Sequence, residues 1–440
     1  MLVLGLLVAA TTVLVLDDTP EPPDSPAAIP PPAGLDLPEV VAPVPVAGGA
    51  TGTPNPAKVR RAVAGLLADA DLGPHVLALV TGLDGTLLYS RGSGAAMPAS
   101  TLKLLTSAAA LENLGPEHTF DTTVVSDGPR RVVLVGGGDP LLTAEDLARL
   151  AREAAPQLTG KVRVDYDVSL FSGPDVSPHW PATYVSEGVV SPIQALWVDE
   201  GRDADGYGRV ADPAATAAAV FAAALDKAGV EVSGTPSKRV VHDGTELARV
   251  SSEPLSRIVE HTLELSDNEA AEVLARQVGI ATSVVGSFDA GTRGVLDTLE
   301  ALGVPTDGAK VYDGSGLSRD DRLEPGTLTA LLEVAGSSEQ PDLRAVLTGL
   351  PVAAFTGSLS DRFEGDDDPG RGLVRAKTGT LSGVSGLAGT VTDRTGSPMV
   401  FALMADRVAL IDTLDARDAL DGIAGALAGC RCGAAGTVAP

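Results

Sequence analysis

Apolar and polar residues alternate along this chain in two different periods, which together predict a mixture of helices and strands. Residues 57–70 place valine and leucine at the spacing of one helix face. Residues 75–80 and 86–89 alternate as strands do, and the Asp84-Gly85 pair between them is a strong hairpin signal. The sequence therefore predicts a helix followed by a β-hairpin.

The pattern changes from about residue 117 to residue 250, where short strands alternate with turns. Strand patterns occur at residues 122–125, 131–135, 161–164 and 239–241, and one clear helix pattern occurs at residues 143–154. This stretch is long enough to form a complete inserted domain of the α+β type.

Helical spacing returns in the second half of the chain and gives way to strands near its end. Helices are predicted at residues 255–279, 288–302, 328–335, 343–350 and about 411–427, with strands at 373–378, 386–391 and 399–404. Three successive strands joined by short turns predict an antiparallel meander. The fold class expected is α/β in the α+β sense, an antiparallel sheet flanked by helices and interrupted by a large insert.

The first 56 residues differ from the rest. Residues 1–16 carry no charge and are shorter than the roughly 20 residues that span a bilayer, so they suit a signal-peptide core better than an uncleaved membrane anchor. Residues 17–56 are proline-rich, contain acidic residues and lack an apolar period, which predicts a disordered linker. Together they predict an exported protein at the outer face of the cytoplasmic membrane, in the cell wall or periplasm.

Composition excludes some functions. The 440 residues are 44% hydrophobic, enough for a large core of two or three domains, and the net charge of −26 opposes nucleic-acid binding. Cys430 and Cys432 are the only cysteines, too few for a structural zinc site, although an oxidising compartment would allow a disulfide between them. The five histidines lack metal-ligand spacing, so neither a metal nor a cofactor is expected.

Ser100 and Lys103 open an alanine- and leucine-rich helix that Gly115-Pro116 stops. Three positions apart, their side chains project from one face. A serine hydroxyl is a poor nucleophile until a base takes its proton, which a lysine kept unprotonated by desolvation or a second cation can do. The helix start also offers a backbone N–H at Ser100 to an oxyanion. The alternative is a solvated helix start with an ordinary lysine.

Ser266-Asp267-Asn268 forms a second motif within a helical pattern. Ser266 and Asn268 face one site only if they lie in a turn between two helices. The serine could then pass a proton to a leaving amine, and the asparagine amide could bind a peptide backbone. The alternative is a helix cap, because Ser266 with Glu269 matches a capping box.

Lys377-Thr378-Gly379-Thr380 ends a predicted strand. A strand edge can pair with an extended peptide, and Gly379 would permit close approach of a ligand. Lys377 and the two threonines would meet a substrate carboxylate, and the Thr380 N–H could complete an oxyanion hole. The alternative is an edge strand with a blunting lysine.

The three motifs occur in an order that predicts an acyl-transfer serine site. Ser100-Thr-Leu-Lys103, Ser266-Asp-Asn268 and Lys377-Thr-Gly379 together resemble the low-molecular-mass class C penicillin-binding proteins, the D-alanyl-D-alanine carboxypeptidase/endopeptidases. The resemblance implies a transpeptidase/β-lactamase-like catalytic domain built from residues 57–116 plus 251–430, with residues 117–250 inserted and residues 431–440 as a tail.

The resemblance also implies roles for the motif residues. Ser100 would attack the carbonyl of the penultimate D-Ala with Lys103 as base, and Ser266 would pass the proton to the leaving D-Ala. Asn268 would hold the substrate or order Lys103. Lys377, with Thr378 and Thr380, would bind the terminal carboxylate, and water would release the acyl-enzyme. The implied partners are peptidoglycan stem peptides, with β-lactam antibiotics as inhibitors.

Arg319 follows Asp313-Gly-Ser-Gly-Leu-Ser318, a glycine-rich loop that resembles a family segment near the active site. Its guanidinium could bind a carboxylate on the stem-peptide diamino acid; the alternative is a solvated loop arginine. Two other functions stay open at this point, a non-catalytic cell-wall-binding protein and a β-lactamase of the same fold. The sequence leaves undecided the balance between carboxypeptidase and endopeptidase action, and the oligomeric state.

Overall fold

A computed structural model describes residues 53–203, 206, 208–365 and 367–433. The predicted signal or anchor segment, nearly all of the predicted linker and most of the predicted tail lie outside these residues. Among the described residues, none of the helices is both long and apolar enough to cross a membrane.

The described residues form nine strands and ten α-helices. The strands are β1 (Val76–Gly82), β2 (Leu87–Arg91), β3 (Asp121–Ser126), β4 (Arg131–Val135), β5 (Arg163–Asp167), β6 (Thr245–Ser251), β7 (Val374–Leu381), β8 (Val384–Thr392) and β9 (Pro398–Ala405). The helices are α1 (Pro56–Val63), α2 (Lys103–Leu114), α3 (Ala144–Ala154), α4 (Pro213–Lys227), α5 (Leu255–Glu264), α6 (Asn268–Ser283), α7 (Phe288–Ala301), α8 (Pro325–Gly336), α9 (Arg344–Thr348) and α10 (Thr413–Gly429).

The larger sheet is antiparallel and has the strand order β2-β1-β9-β8-β7, so the predicted meander is confirmed and the early hairpin joins it through β9. Successive residues of β9 point to opposite faces of the sheet. Val400, Ala402 and Met404 belong to a core shared with α2 and with the helices from α5 to α9, whereas Phe401 and Leu403 belong to a core with α1 and α10. Helices therefore flank this sheet on both faces, as the α/β fold class requires.

The smaller sheet has the order β5-β4-β3-β6 and lies within the stretch that was expected to be an insert. Its pairs are antiparallel except β4 with β5, which is parallel. Helices α3 and α4 cover it and share one core with it. A second apolar contact joins this stretch to the catalytic part, because Trp180 and Trp197 pack with Val273 and Phe288. The domain boundaries proposed from the sequence stay predictions.

Two elements in the stretch were misjudged. Residues 239–241 are not a strand, because the N–H of Val241 donates to the Asp167 side chain (2.8 Å) and not to a neighbouring backbone. The last strand of the sheet is β6, immediately before α5. Helix α4 was not expected; Asp212 caps it by accepting from Ala215 N (3.0 Å).

Close to the chain's C-terminal end, Cys430 and Cys432 form a disulfide. The Asp393 carboxylate, in the turn between β8 and β9, accepts hydrogen bonds from the backbone N–H groups of Cys432 (2.7 Å) and Gly433 (2.9 Å). These contacts fix the segment after α10 to the far end of the larger sheet, away from the strand end that carries the third motif.

Candidate active site

Ser100 and Lys103 lie where a short 3₁₀ turn, Ala99–Leu102, continues into α2. The Lys103 side chain is fully buried, and its Nζ lies 2.9 Å from Ser100 Oγ. The same nitrogen donates to Asn268 Oδ1 (2.8 Å) and to the backbone oxygen of Ser315 (2.9 Å). The first two motifs therefore meet at one amine, and the glycine-rich loop completes its surroundings.

Burial makes Lys103 a stronger base candidate. Loss of solvent lowers its pKa to about 8, against the opposing influence of the carboxylates of Asp313 and then Glu272. Glu272 is itself fully buried and accepts from the backbone N–H groups of Gly314 (3.0 Å) and Ser315 (2.8 Å). Its own pKa rises to about 8, first through burial and then through Asp313. At pH 7 about a tenth of the Lys103 side chains are thus unprotonated.

The second motif forms a turn between α5 and α6, as its proposed role requires. Ser266 adopts a left-handed conformation (φ 60°), which breaks the helical path between α5 and α6. The cap of α6 is Asp267, which accepts from Ala270 N (2.9 Å), so the alternative interpretation of the motif as a Ser266–Glu269 capping box is wrong. Asn268 also donates through Nδ2 to the Val189 backbone oxygen (3.1 Å), so its amide is held at both ends.

Lys377 is also fully buried, and its Nζ donates to the Thr378 backbone oxygen (3.1 Å). Burial, followed by the nearby charges of Lys103 and Arg362, holds the pKa of Lys377 well below its ordinary value. The first and third motifs are neighbours, because Gly379 lies against Pro98 and Thr101 on either side of Ser100. Ser358 Oγ lies 2.8 Å from Thr378 Oγ1 and adds a hydroxyl to this end of the site.

Strand β7 is an edge strand, and its outer edge is open at the third motif. Ala376 N donates to Pro351 O (3.0 Å), so the backbone groups of even-numbered β7 residues point away from β8. By the same alternation, Thr378 and Thr380 direct their N–H and C=O groups to this outer edge. Thr380 is exposed, which leaves its N–H accessible to an added peptide strand.

Gly379 packs closely against the turn that carries Ser100. A Cβ at this position would lie 2.6 Å from the Pro98 backbone oxygen and 3.3 Å from Thr101 N. This turn is therefore one close neighbour that requires glycine here, and the expected approach of a ligand stays a prediction. Glycine here lets the strand and the nucleophile turn pack in direct contact.

Arg319 lies outside this cluster, on the exposed rim. Its Nη2 donates to the Ser382 backbone oxygen (3.0 Å), at the β7–β8 turn. Its guanidinium also lies near the Tyr184 hydroxyl. Burial raises the pKa of Tyr184, and the positive charge of Arg319 opposes that rise. Arg319 is thus anchored beside the strand that carries the third motif, but it contacts none of the other predicted site residues.

Several residues of the site lie outside the three motifs. They are Glu272, Asp313, Ser358 and the backbone carbonyls of Ser315 and Val189. Asp313 and Ser315 belong to the glycine-rich loop whose resemblance had placed it near the active site. Glu272 also carried a signal, because it is a charged residue among the buried alanines of α6. Backbone carbonyls carry no sequence signal at all.

Comparisons with known proteins agree with this geometry. Residues 59–205 and 203–428 match the model of the D-Ala-D-Ala carboxypeptidase 3 (S13) family. The chain is 37% identical to Carboxypeptidase DacB of Mycolicibacterium smegmatis, over 92% of this chain and 90% of the relative. It is 35% identical to Carboxypeptidase Rv3627c of Mycobacterium tuberculosis, over 88% and 87%.

Solved structures share the fold. The crystal structure of penicillin binding protein 4 (dacB) from Haemophilus influenzae matches with a TM-score of 0.71 and 23% identity, covering 85% of this chain and 98% of that one. A second structure of that protein, complexed with a novel β-lactam, matches with a TM-score of 0.63 and 22% identity, covering 84% and 98%.

Proposed function

The chain belongs to the D-Ala-D-Ala carboxypeptidase 3 (S13) family, and we propose that it performs the family's reaction through an acyl-enzyme on Ser100. The family resemblance predicted from the three motifs is confirmed. The protein is a serine-type D-Ala-D-Ala carboxypeptidase, a hydrolase and a penicillin-binding protein. The observation that carries the assignment of residues is the buried Lys103 amine, which lies within hydrogen-bond distance of both Ser100 and Asn268.

In the first step, the Ser100 hydroxyl attacks the carbonyl carbon of the penultimate D-Ala. Lys103, 2.9 Å from Oγ and with a pKa of about 8, takes the hydroxyl proton as the bond forms. The Asn268 and Ser315 oxygens fix the amine in place, so that little reorientation is needed before proton transfer.

In the second half of acylation, the C–N bond breaks and the departing D-Ala nitrogen gains a proton. Ser266 is the residue proposed to deliver it: its hydroxyl passes a proton to the leaving nitrogen and takes the proton that Lys103 gained from Ser100, so the Lys103 amine becomes neutral again. Water then attacks the acyl ester while Lys103 accepts its proton, and Lys103 returns that proton to Ser100 Oγ as the ester bond breaks.

Substrate would add as a strand along the open edge of β7. The N–H of Thr380 points outward there and would hold the oxyanion together with the backbone N–H of Ser100. The terminal carboxylate would meet Thr378 and Ser358, whose hydroxyls lie 2.8 Å apart, close to the Lys377 amine. Gly379 would serve this arrangement by allowing the strand to touch the nucleophile turn.

The partners and location follow from the same function. Stem peptides of peptidoglycan are the proposed substrates, and β-lactams are the proposed inhibitors because they acylate the same serine. The protein would act outside the cytoplasmic membrane, exported by residues 1–16, which would serve as signal or anchor. Cleavage of cross-links, in addition to trimming of pentapeptides, is a further proposed activity of the same site.

Arg319 is proposed to recognise the far end of the stem-peptide side chain. Its anchor at Ser382 places a cation beside the proposed substrate strand. The test compares a substrate that bears a side-chain carboxylate with one that bears plain lysine. We expect Arg319→Ala to lower kcat/KM for the first and spare the second, with Arg61→Ala, an exposed arginine on α1, as the matched control. Equal loss on both substrates, or none, would assign Arg319 to the surface.

Labelling with a fluorescent penicillin tests the function. We expect stable labelling, with the adduct mapped by mass spectrometry to the peptide that contains Ser100. Lys103→Ala should abolish labelling without unfolding the protein. Lys227→Ala changes an exposed lysine at the end of α4, beside the smaller sheet, and should leave labelling intact. Absence of labelling would favour a non-catalytic wall-binding protein, and rapid turnover of the penicillin would favour a β-lactamase. An adduct on another serine would contradict the assignment of Ser100.

The domain layout is tested by limited proteolysis of the full chain. We propose that residues 17–56 form a flexible linker and residues 117–250 a separate inserted unit. Proteases should cut first within 17–56 and leave a resistant body that begins near residue 57. Early cleavage within residues 257–279 would contradict this layout.

A further inference from the structure

Three ligand-type side chains from separate elements meet beside the second motif. His261 lies on α5, Asp267 in the following turn, and Glu200 in the stretch between β5 and α4. His261 Nε2 lies 3.3 Å from Asp267 Oδ2 and 3.7 Å from Glu200 Oε1, and the three atoms all lie within 4.8 Å of one another. Residues distant in sequence thus converge on one point.

In both carboxylates one oxygen is held elsewhere and the other is free to face this point. Glu200 Oε2 accepts from Arg202 through Nε (2.8 Å) and Nη2 (2.6 Å). Asp267 Oδ1 accepts from the Ala270 N–H (2.9 Å) at the start of α6. The remaining oxygens, Glu200 Oε1 and Asp267 Oδ2, both approach His261. Outer contacts that orient ligand oxygens in this way are typical of metal centres.

The inner atoms lack hydrogen bonds although they are buried. The Asp267 side chain is only 3% exposed, yet Oδ2 makes no hydrogen bond, and neither does the buried Nε2 of His261. Their 3.3 Å separation has the distance of an ion pair but not the geometry of a hydrogen bond. A buried carboxylate oxygen without a donor costs free energy, which a ligand at this point would recover.

We propose that His261, Asp267 and Glu200 form a binding site for a divalent transition metal ion of the zinc class. Imidazole and carboxylate ligands at bond lengths of roughly 2.0–2.2 Å suit zinc. Ligand atoms in a tetrahedral site of that size are about 3.3–3.5 Å apart, close to two of the observed separations. The fourth ligand would be water, because His261 lines an open surface cleft with Glu264 and Leu265.

The bound ion would connect two parts of the chain that build the active site. Glu200 comes from the stretch that carries the smaller sheet, and Asp267 lies between Ser266 and Asn268. The same stretch already contacts this turn, through Val189 O with Asn268 and through Arg209 with Glu269 (2.5 Å). A metal there would fix the turn that presents Ser266, without touching the reacting atoms.

The competing explanation is a simple ion pair, in which a protonated His261 bridges the two carboxylates. Contact with Asp267 and then Glu200 raises the pKa of His261 to about 9, so the free site favours the imidazolium form. A metal must displace that proton, as it does in other histidine sites. The two explanations differ in whether the chain takes up a stoichiometric ion.

The test uses the full chain, stripped with a chelator and titrated with Co²⁺ at about pH 8, with Zn²⁺ titrated in parallel by calorimetry. We expect one ion per chain, the strong visible bands of tetrahedral Co²⁺, and a Tm that rises with Zn²⁺ concentration. His261→Gln and Glu200→Gln should each weaken binding at least tenfold, because even the loss of a residue that only orients a metal ligand costs about 10–100-fold. His179→Gln is the matched control, because His179 pairs with a single carboxylate, Asp320 (3.3 Å).

Every outcome decides between the two explanations. Circular dichroism of the metal-free variants first verifies that they fold. Glu200→Gln is the milder change, and it alone suffices for the test if His261→Gln does not fold. Absence of saturable binding to the folded wild type would overturn the proposal. So would equal affinity in the wild type and in both variants, which would reveal adventitious ions on the acidic surface.

Discussion

The pH dependence of acylation should report the ionisation of Lys103. Only the unprotonated amine can accept the Ser100 proton, and burial lowers the pKa of Lys103 to about 8. The acylation rate should therefore rise with pH, reach half of its maximum near pH 8, and stay level above that. An ordinary lysine would place the midpoint more than two pH units higher.

The size of the effect follows from the fraction of neutral amine. At about pH 6 only about 1% of Lys103 would be neutral, so acylation should be about a hundredfold below its plateau, equivalent to about 2.7 kcal/mol. Glu272→Gln provides an internal check of sign. Glu272 raises the pKa of Lys103 only when it is ionised, and with its own pKa at about 8 it is only partly ionised near the midpoint, so Glu272→Gln should move the midpoint modestly toward lower pH. The glutamine can still accept from the Gly314 and Ser315 N–H groups, which limits structural damage.

The assay is the second-order rate constant for labelling by a fluorescent penicillin, measured in stopped flow between about pH 5.5 and 9. Glu153→Gln, an exposed carboxylate on α3, serves as the matched control and should leave the midpoint unchanged. A rate independent of pH between 6 and 9 would refute the role of Lys103 as base. A midpoint that moves toward higher pH in Glu272→Gln would refute the electrostatic argument while leaving the base in place.

Three further changes test other contacts of the site and the core. Lys377→Ala should lower kcat/KM for a D-Ala-D-Ala peptide by about ten- to hundredfold, the loss of one charge-assisted contact, with labelling retained at high penicillin concentration. Gly379→Ala places a Cβ 2.6 Å from Pro98 O, so the nucleophile turn must shift; acylation should slow far more than the urea midpoint falls. Arg362→Ala removes the partner of the buried Asp421 carboxylate, 2.8 Å away, and should lower the free energy of unfolding by about 3–5 kcal/mol in urea titrations. Asp421→Asn should have a smaller effect. A loss below about 1 kcal/mol in Arg362→Ala would contradict this prediction.

Much of the fold could be predicted because strong periodicity and turn signals coincide. Strands β7 to β9 were predicted to within three residues at each end, and α3 was predicted from its helix pattern; in the structure Thr143 caps it. Helix α4 was missed because an alanine-rich helix that is apolar on nearly all sides has little periodicity, although Asp212-Pro213 is a typical start signal.

The catalytic cluster divides in the same way. Side chains with a fixed spacing, such as Ser100 with Lys103, could be predicted from the sequence. The carbonyls of Ser315 and Val189 could not, because every residue has a carbonyl and only the folded chain decides which one is presented. The packing of Gly379 could not be predicted for a related reason, since its close backbone neighbour, Pro98, lies about 280 positions earlier in the chain. His261 and Glu200 also lacked metal-ligand spacing and meet only in three dimensions.

The position of β1 between β2 and β9 in the larger sheet has a consequence for folding during synthesis. β1 pairs on one side with β2, which follows at once, and on the other with β9, which is among the last parts to be synthesised. Until β9 arrives, that apolar strand has a bare edge able to pair with other chains. The strands of the smaller sheet all pair among themselves and can form earlier. A chain truncated before β9 would therefore keep the strands of the smaller sheet but leave one edge of β1 unpaired and prone to aggregation. Ser100 would be present, but the larger sheet that completes the active site would not form.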